Sequence, residues 1–194
     1  MRRAEEQPYF SEKKFSKKDY TKNRLPQGEY ELCVFENCDF SGSALSEIVF
    51  VDCSFSGCNL SLARPDLSVF RNVKFTDCKL TGFRFDNCSE FGFSVSFHKC
   101  RLEQASFYKM RIRKTIFKGC ELIETDFTEA DLSGSVFEGC DLTRSIFDLS
   151  ILEKCDLTSS FGFTIDPEKN KLKKARFSSN QLSGLLSKYD IEIL

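Results

Sequence analysis

Large apolar residues return along this chain at every fifth position, with a small residue two places before each and polar residues between. In TEADLSGSVFEGCDLTRSIF (128–147) the large ones are Leu132, Phe137, Leu142 and Phe147, and the small ones Ala130, Ser135, Cys140 and Ser145. An α-helix repeats its buried face every 3.6 residues and a strand every two, so a spacing of five held over twenty residues predicts neither. With the large position labelled i, the slots from Phe35 to Phe85 are Leu or Phe except at Pro65. The slots from Leu102 to Leu157 are Leu, Ile or Phe throughout. Positions i−1, i+1 and i+2 are mostly Asp, Asn, Glu, Lys, Arg, Ser, Thr or Gly, which points them outward. The pattern predicts a column with i and i−2 inside, a solenoid whose coils touch only their neighbours and whose ends need caps.

The ten cysteines fit this register. Cys33, Cys38, Cys53, Cys58, Cys78, Cys88, Cys100, Cys120, Cys140 and Cys155 all occupy i−2, as small buried hydrophobes would. Cys100, Cys120 and Cys140 recur every twenty residues, as expected if four fives make one coil. Stacked coils lie about 4.8 Å apart, and side chains pointing the same way across that step are poorly aimed for a disulfide. Free thiols are expected. No CxxC or Cys/His cluster suggests a metal, and His98 is the sole histidine.

Four stretches, ADLSG at 130–134, CDLTR at 140–144, CNLSL at 58–62 and CDFSG at 38–42, resemble the A(D/N)Lxx consensus of pentapeptide repeat proteins. The resemblance spans residues 30–177. It implies an all-β fold, a right-handed quadrilateral β-helix with four fives per coil, closed by a short C-terminal helix. Residues 1–29, whose i−2 slots hold Lys13 and Lys18, are expected to form an irregular basic cap, since lysine is rarely buried. Between Phe85 and Phe97 the register shifts by two, through 86–97, which predicts a kink or loop in which Phe91 and Phe93 either plug the irregularity or meet a partner. Pro65 cannot donate to a ladder and predicts a bulge or an exposed corner.

Residues 178–194 change period. Leu182, Leu185, Leu186 and Tyr189 lie at helical spacing after a capping Ser178 or Ser179, followed by alternating Ile191 and Ile193. The stretch resembles the C-terminal module through which the Qnr, MfpA and albicidin-resistance members dimerise, so these six residues are the expected homodimer contacts.

Charge then alters the picture. The formal net charge is −1, yet residues 99–118 carry seven Lys or Arg against one Glu, and residues 121–156 carry ten Asp or Glu against Arg144 and Lys154. The acidic band is Glu121, Glu124, Asp126, Glu129, Asp131, Glu138, Asp141, Asp148, Glu153 and Asp156. Its residues sit at outward positions, away from any apolar pocket that would shift a pKa. No Gly-rich phosphate loop, Ser/His/Asp set or zinc spacing occurs, and a filled column leaves no room for a cofactor. An enzyme is not expected, nor a cofactor or metal site. No apolar run reaches the length of a membrane span, and MRRAEEQPYF lacks the apolar core of a secretory leader, so a cytoplasmic protein is expected.

The resemblance implies a function. In the Qnr, MfpA and albicidin-resistance group an acidic rod offers a DNA-like row of charge to DNA gyrase or topoisomerase IV and counters topoisomerase-poisoning drugs. Here the acidic band is the expected contact, without direct binding to nucleic acid. The alternative is a scaffold for another partner, because the basic band interrupts a pure DNA-like surface.

Overall fold

The computed structural model describes residues 8–189, 191 and 192. Its strands are β1 Tyr9–Ser11, β2 Lys14–Ser16, β3 Glu29–Glu31, β4 Val34–Glu36, β5 Val49–Val51, β6 Ser54–Ser56, β7 Val69–Arg71, β8 Val73–Thr76, β9 Val95–His98, β10 Ile116–Lys118 and β11 Val136–Glu138. All pairings between them are parallel, and from β1 to β7 the partners are twenty residues apart: Phe10 with Tyr30, Tyr30 with Phe50, Phe50 with Phe70. Twenty residues are four fives, so each coil has four sides. The fold is an all-β parallel solenoid.

Side one is β1-β3-β5-β7, and side two is β2-β4-β6-β8-β9-β10-β11. Side three is a run of single bridges from Asp19 through Asn59, Arg101 and Asp141 to Phe161. Side four runs from Ala44 and Arg64 to Arg84, Ser106, Asp126 and Ile146. Past the break, side one resumes as Arg111, Asp131, Ile151 and Lys171. Each five supplies a short extended side with residue i at its centre, and the backbone turns at i+2, which is left-handed at Asn37 (φ 51°) and Asp77 (φ 51°). On side three the corner closes with Ser43 N–H donating to the Phe40 carbonyl at 3.0 Å. A left-handed third residue makes such a turn type II, which favours Gly or Asn there.

Because each coil sits on the last, every inward slot stacks on itself. Phe15, Phe35, Phe55, Phe75, Phe97, Phe117 and Phe137 form an unbroken pile on side two, with ring centroids 4.6–5.4 Å apart. Phe85, Phe107, Phe127 and Phe147 stack likewise on side four. The two piles meet edge to face, as at Phe107 and Phe117, 5.9 Å apart and inclined at 89°. Offset stacking within piles and perpendicular contact between them are both favoured arrangements of aromatic quadrupoles.

All ten cysteines are unpaired and buried. Six of them, Cys38, Cys58, Cys78, Cys100, Cys120 and Cys140, form one column behind side three, and Cys58 and Cys140 donate to the carbonyls of Phe35 and Phe117 at 3.4 Å. Burial pushes the thiols of Cys53 and Cys155 up to about 12.

The register break has a local origin. Pro65 lies buried and in register rather than at a bulge. Leu45 donates to the Arg64 carbonyl at 2.8 Å, but one coil later the donor would be Pro65, which has none. The Arg84 carbonyl instead accepts from Asn87 at 3.2 Å, opening a 3₁₀ turn over Phe85–Asn87. Two extra residues follow, and Val73 pairs with Val95. Phe83, a large residue in a small slot, fills the core there with Phe93, which packs edge-on against Phe70 and Phe85. Phe91 is 77% exposed, with the Arg71 guanidinium 5.4 Å from its ring. Phe93 is thus the ring that plugs the irregularity, while Phe91 stays outside the core.

At the N-terminal end, ladder pairing begins at Tyr9, inside the stretch expected to be an irregular cap. Lys13 and Lys18 keep their i−2 positions yet are exposed, and among the described residues no coil lies beneath theirs. Lys13 lies over the Phe10 ring at 5.0 Å.

Two outcomes follow from this core. Phe107→Ala, which empties a slot between two stacked rings and an edge contact, destabilises the protein by about 3–5 kcal/mol, read as a lower midpoint in urea. The ten thiols resist a thiol reagent in native buffer and all react once the chain is unfolded in guanidinium.

Candidate functional site

A twenty-residue coil places residue n beneath residue n+20, and this governs the surface charge. The basic band of 99–118 lies one coil before the start of the acidic band. Arg101 meets Glu121 at 3.3 Å, Lys109 meets Glu129 at 3.5 Å, Lys118 meets Glu138 at 2.7 Å, and Arg113 meets Asp131 at 2.5 Å. From the other direction, Arg144 reaches back to Glu124 at 2.7 Å, Lys169 to Asp148 at 3.4 Å and Arg176 to Asp156 at 3.0 Å. Among the described residues Asp126, Asp141 and Glu153 have no ion pair. Two blocks that look separate in sequence form one interlocked belt. Most of these pairs are solvated at both ends, so each adds little to stability.

Nor does the band lie on one side. Asp131 and Glu153 are on side one, Glu138 and Asp156 on side two, Glu121, Glu124 and Asp141 on side three, and Asp126, Glu129 and Asp148 on side four. Sides three and four share a corner and hold six of the ten. There, Asp126 and Asp141 each turn one carboxylate oxygen inward to the N–H two residues on, at 2.8 and 2.9 Å to Thr128 and Thr143. Their other oxygen is left for solvent or a partner.

Asp131 is the exception to the solvated pattern. It is only 6% exposed, and Arg113 Nε donates to it at 2.6 Å while Ser133 donates through both N–H and Oγ at 3.1 and 2.6 Å. Burial works against its charge, but the Arg113 and Ser133 hydrogen bonds overcome it and hold the carboxyl below its ordinary value. Glu124 is likewise held low, by Gln104 first and then Arg144.

At the C-terminal end the helical spacing yields one short helix, α1 (Ser183–Leu186), between 3₁₀ turns at Ser179–Gln181 and Ser187–Tyr189. Ser178 is the capping residue and accepts from Asn180 N–H at 3.4 Å. Leu185 packs on the core, Leu186 is half-buried, and Leu182, Tyr189 and Ile191 are exposed. Ile193 lies outside the described residues. The tail is tied down by Lys188, paired with Asp166 at 2.8 Å and Glu168 at 2.6 Å, and by Ile165 N–H donating to the Gly184 carbonyl at 2.9 Å. A side chain at Gly184 would strike the Phe163 carbonyl, a Cβ there lying 2.3 Å from its oxygen. A cleft of about 530 Å³ separates Phe163 from Leu186 and Ile191.

Sequence reasoning treated the two charge bands separately and missed their pairing. The signal was there: Arg101, Lys109 and Lys118 each precede a glutamate by twenty. Among the described residues no group of three or more His, Cys, Asp or Glu is placed to hold a metal, and no helix is long and apolar enough to cross a membrane.

A family model described as a pentapeptide repeat region matches residues 29–90 and 93–177, either side of the loop tip. No curated protein sequence matches the chain. Among solved structures, a trypsin-treated variant of QnrB1, a plasmid-mediated fluoroquinolone resistance protein, is 25% identical, over 97% of this chain and 98% of the other, with a TM-score of 0.48. Full-length QnrB1 is 21% identical over 95% and 100%, TM-score 0.41. HetL, involved in heterocyst differentiation regulation in the cyanobacterium Nostoc, is 16% identical over 93% and 87%, TM-score 0.37.

The Arg113 to Asp131 pair makes a pH-dependent prediction. A depressed carboxylate contributes stability above its unfolded value of 3.8 and loses it as pH falls through the folded value. Asp131→Asn lowers stability at pH 7 by about 1 kcal/mol, since Arg113 stays solvated. Denaturation of variant and wild type at pH 7 and at about pH 2.5 should show the gap closing in acid.

Proposed function

The chain belongs to the pentapeptide repeat family, and from that membership we propose a non-enzymatic protein-binding solenoid whose acidic corner engages a type II topoisomerase, DNA gyrase or topoisomerase IV. The observation that carries this reading is the corner of sides three and four. Sides four and three carry Asp126 and Asp141, without an ion pair among the described residues, and on the same two sides stand the ion-paired Glu121, Glu124, Glu129 and Asp148. A rigid column holding carboxylates at the coil spacing presents fixed anions to a groove that binds phosphates. The filled core supports binding over small-molecule chemistry, because its inward polar groups, such as Thr125 and Ser135, already donate to backbone carbonyls. In this reading the protein competes with DNA for the enzyme and counters drugs that trap the enzyme on DNA, a fluoroquinolone being the first to test. A homodimer joined through α1 and the tail, with Leu182, Leu185, Leu186, Tyr189 and Ile191 at the joint, doubles the acidic corner along one rod. We place the protein in the cytoplasm, where such a partner works.

The test is gyrase supercoiling with purified protein titrated in, with and without a fluoroquinolone. Inhibition by the wild type, weakened at least tenfold in Asp126→Lys/Asp141→Lys with an unchanged circular-dichroism spectrum, is the expected result. No inhibition by a verified dimer removes the topoisomerase and leaves a scaffold for another protein. For the joint, Leu182→Asp/Ile191→Asp turns a dimer into a monomer in sedimentation velocity.

A further inference from the structure

Side one has a character that neither charge band foretells. In its C-terminal half Asp131 neutralises Arg113, and the other cations are Arg111, Lys114, Lys154, Lys171, Lys173 and Lys174, all exposed. They face one remaining acid, Glu153. Arg111 and Lys114 belong to the basic band, whereas Lys171, Lys173 and Lys174 lie some sixty residues later. The ladder from Arg111 through Asp131 and Ile151 to Lys171 brings them onto one side. Between Lys114 and Lys154, Gly134 leaves a shallow recess of about 320 Å³, lined also by Arg113, Ser133 and Glu153. Toward the N-terminus the same side carries an apolar strip: Val49, Val51 and Val69 are half-buried and Leu32 and Phe91 exposed, with Arg71 beside them and Glu29, Glu31 and Asp52 at its margin. The register break, where Phe91 projects, is the boundary between the two halves.

We propose that side one is a docking surface for an extended polypeptide segment, apolar at one end and acidic at the other. The row of Val49 and the row of Lys171 are six coil steps apart, about 29 Å at the strand spacing, which about nine extended residues span. Opposite charge selects the acidic end, with the recess at Gly134 taking a carboxylate between Lys114 and Lys154. The apolar half selects a polypeptide over a nucleic acid, because a phosphate backbone has nothing to bury against valines and its affinity comes from charge alone. Side one lies between sides two and four, opposite side three, so this surface is independent of the acidic corner and of the topoisomerase reading.

The probe is a fluorescein-labelled twelve-residue peptide with a Val/Phe-rich half followed by a Glu-rich half, read by anisotropy beside an all-Glu peptide and a 20-base-pair duplex DNA. The expected order is block peptide at least tenfold tighter than all-Glu, and duplex weakest. Lys171→Glu/Lys173→Glu/Lys174→Glu weakens the block peptide at least tenfold and Phe91→Ser at least fivefold, while Asp126→Lys/Asp141→Lys leaves it unchanged. Should the triple reversal fail to fold, Lys154→Gln/Lys174→Gln serves, with at least a threefold loss expected. Duplex binding as tight as the block peptide, or unchanged peptide binding in the side-one variants, overturns the proposal. A topoisomerase result of either sign leaves it standing, because that experiment reads the other side of the column.

Discussion

The parallel ladder between coils is the constraint from which everything else in this molecule follows. Each outward and inward position donates or accepts across one coil step, as where Glu121 N–H meets the Cys100 carbonyl at 2.9 Å and Leu122 N–H meets the Asp141 carbonyl at 2.8 Å. Once residue n must lie beneath residue n+20, the interior can only be piles of like on like. Phenylalanine suits such a pile because flat rings stack at close to the strand spacing, and cysteine suits the narrow slot beside it because a thiol is small and finds a carbonyl. Stability in such an array is a sum of neighbour terms, so a local fault stays local.

The break at 86–97 illustrates this. A proline without an N–H leaves one carbonyl free, a 3₁₀ turn forms, and two residues are inserted, yet from Phe97 onward the twenty-residue pairing resumes with Phe117 and Phe137. The disturbance is absorbed by Phe83 and Phe93, which both pack edge-on against Phe70 of side one. What the insertion adds is one exposed ring, Phe91, on a column whose other stacked rings face inward.

The same ladder explains the surface. A solenoid cannot choose its neighbours along the axis freely, and here the residues twenty apart are of opposite sign over much of the second half, so the belt of charge is largely self-satisfied. The two proposed surfaces are departures from that pairing among the described residues: Asp126 and Asp141 on sides four and three, and the cations of side one.

Much of this was legible in the residues themselves. A side-chain period is a property of the local backbone, so the five-residue spacing determined which positions are buried and that the cysteines are small core residues, while the four-sided coil was implied by the family resemblance. The helix was legible as a change of period, although only Ser183–Leu186 completes an α turn. Tertiary structure decided what lies beside what along the axis. That depends on which residues about twenty apart in sequence meet across the coils, and a local backbone preference does not encode those contacts. Hence Asp131 is buried against Arg113, the acidic band encircles the column, and Lys171 shares a side with Arg111. Those pairings exist only once the coils have stacked.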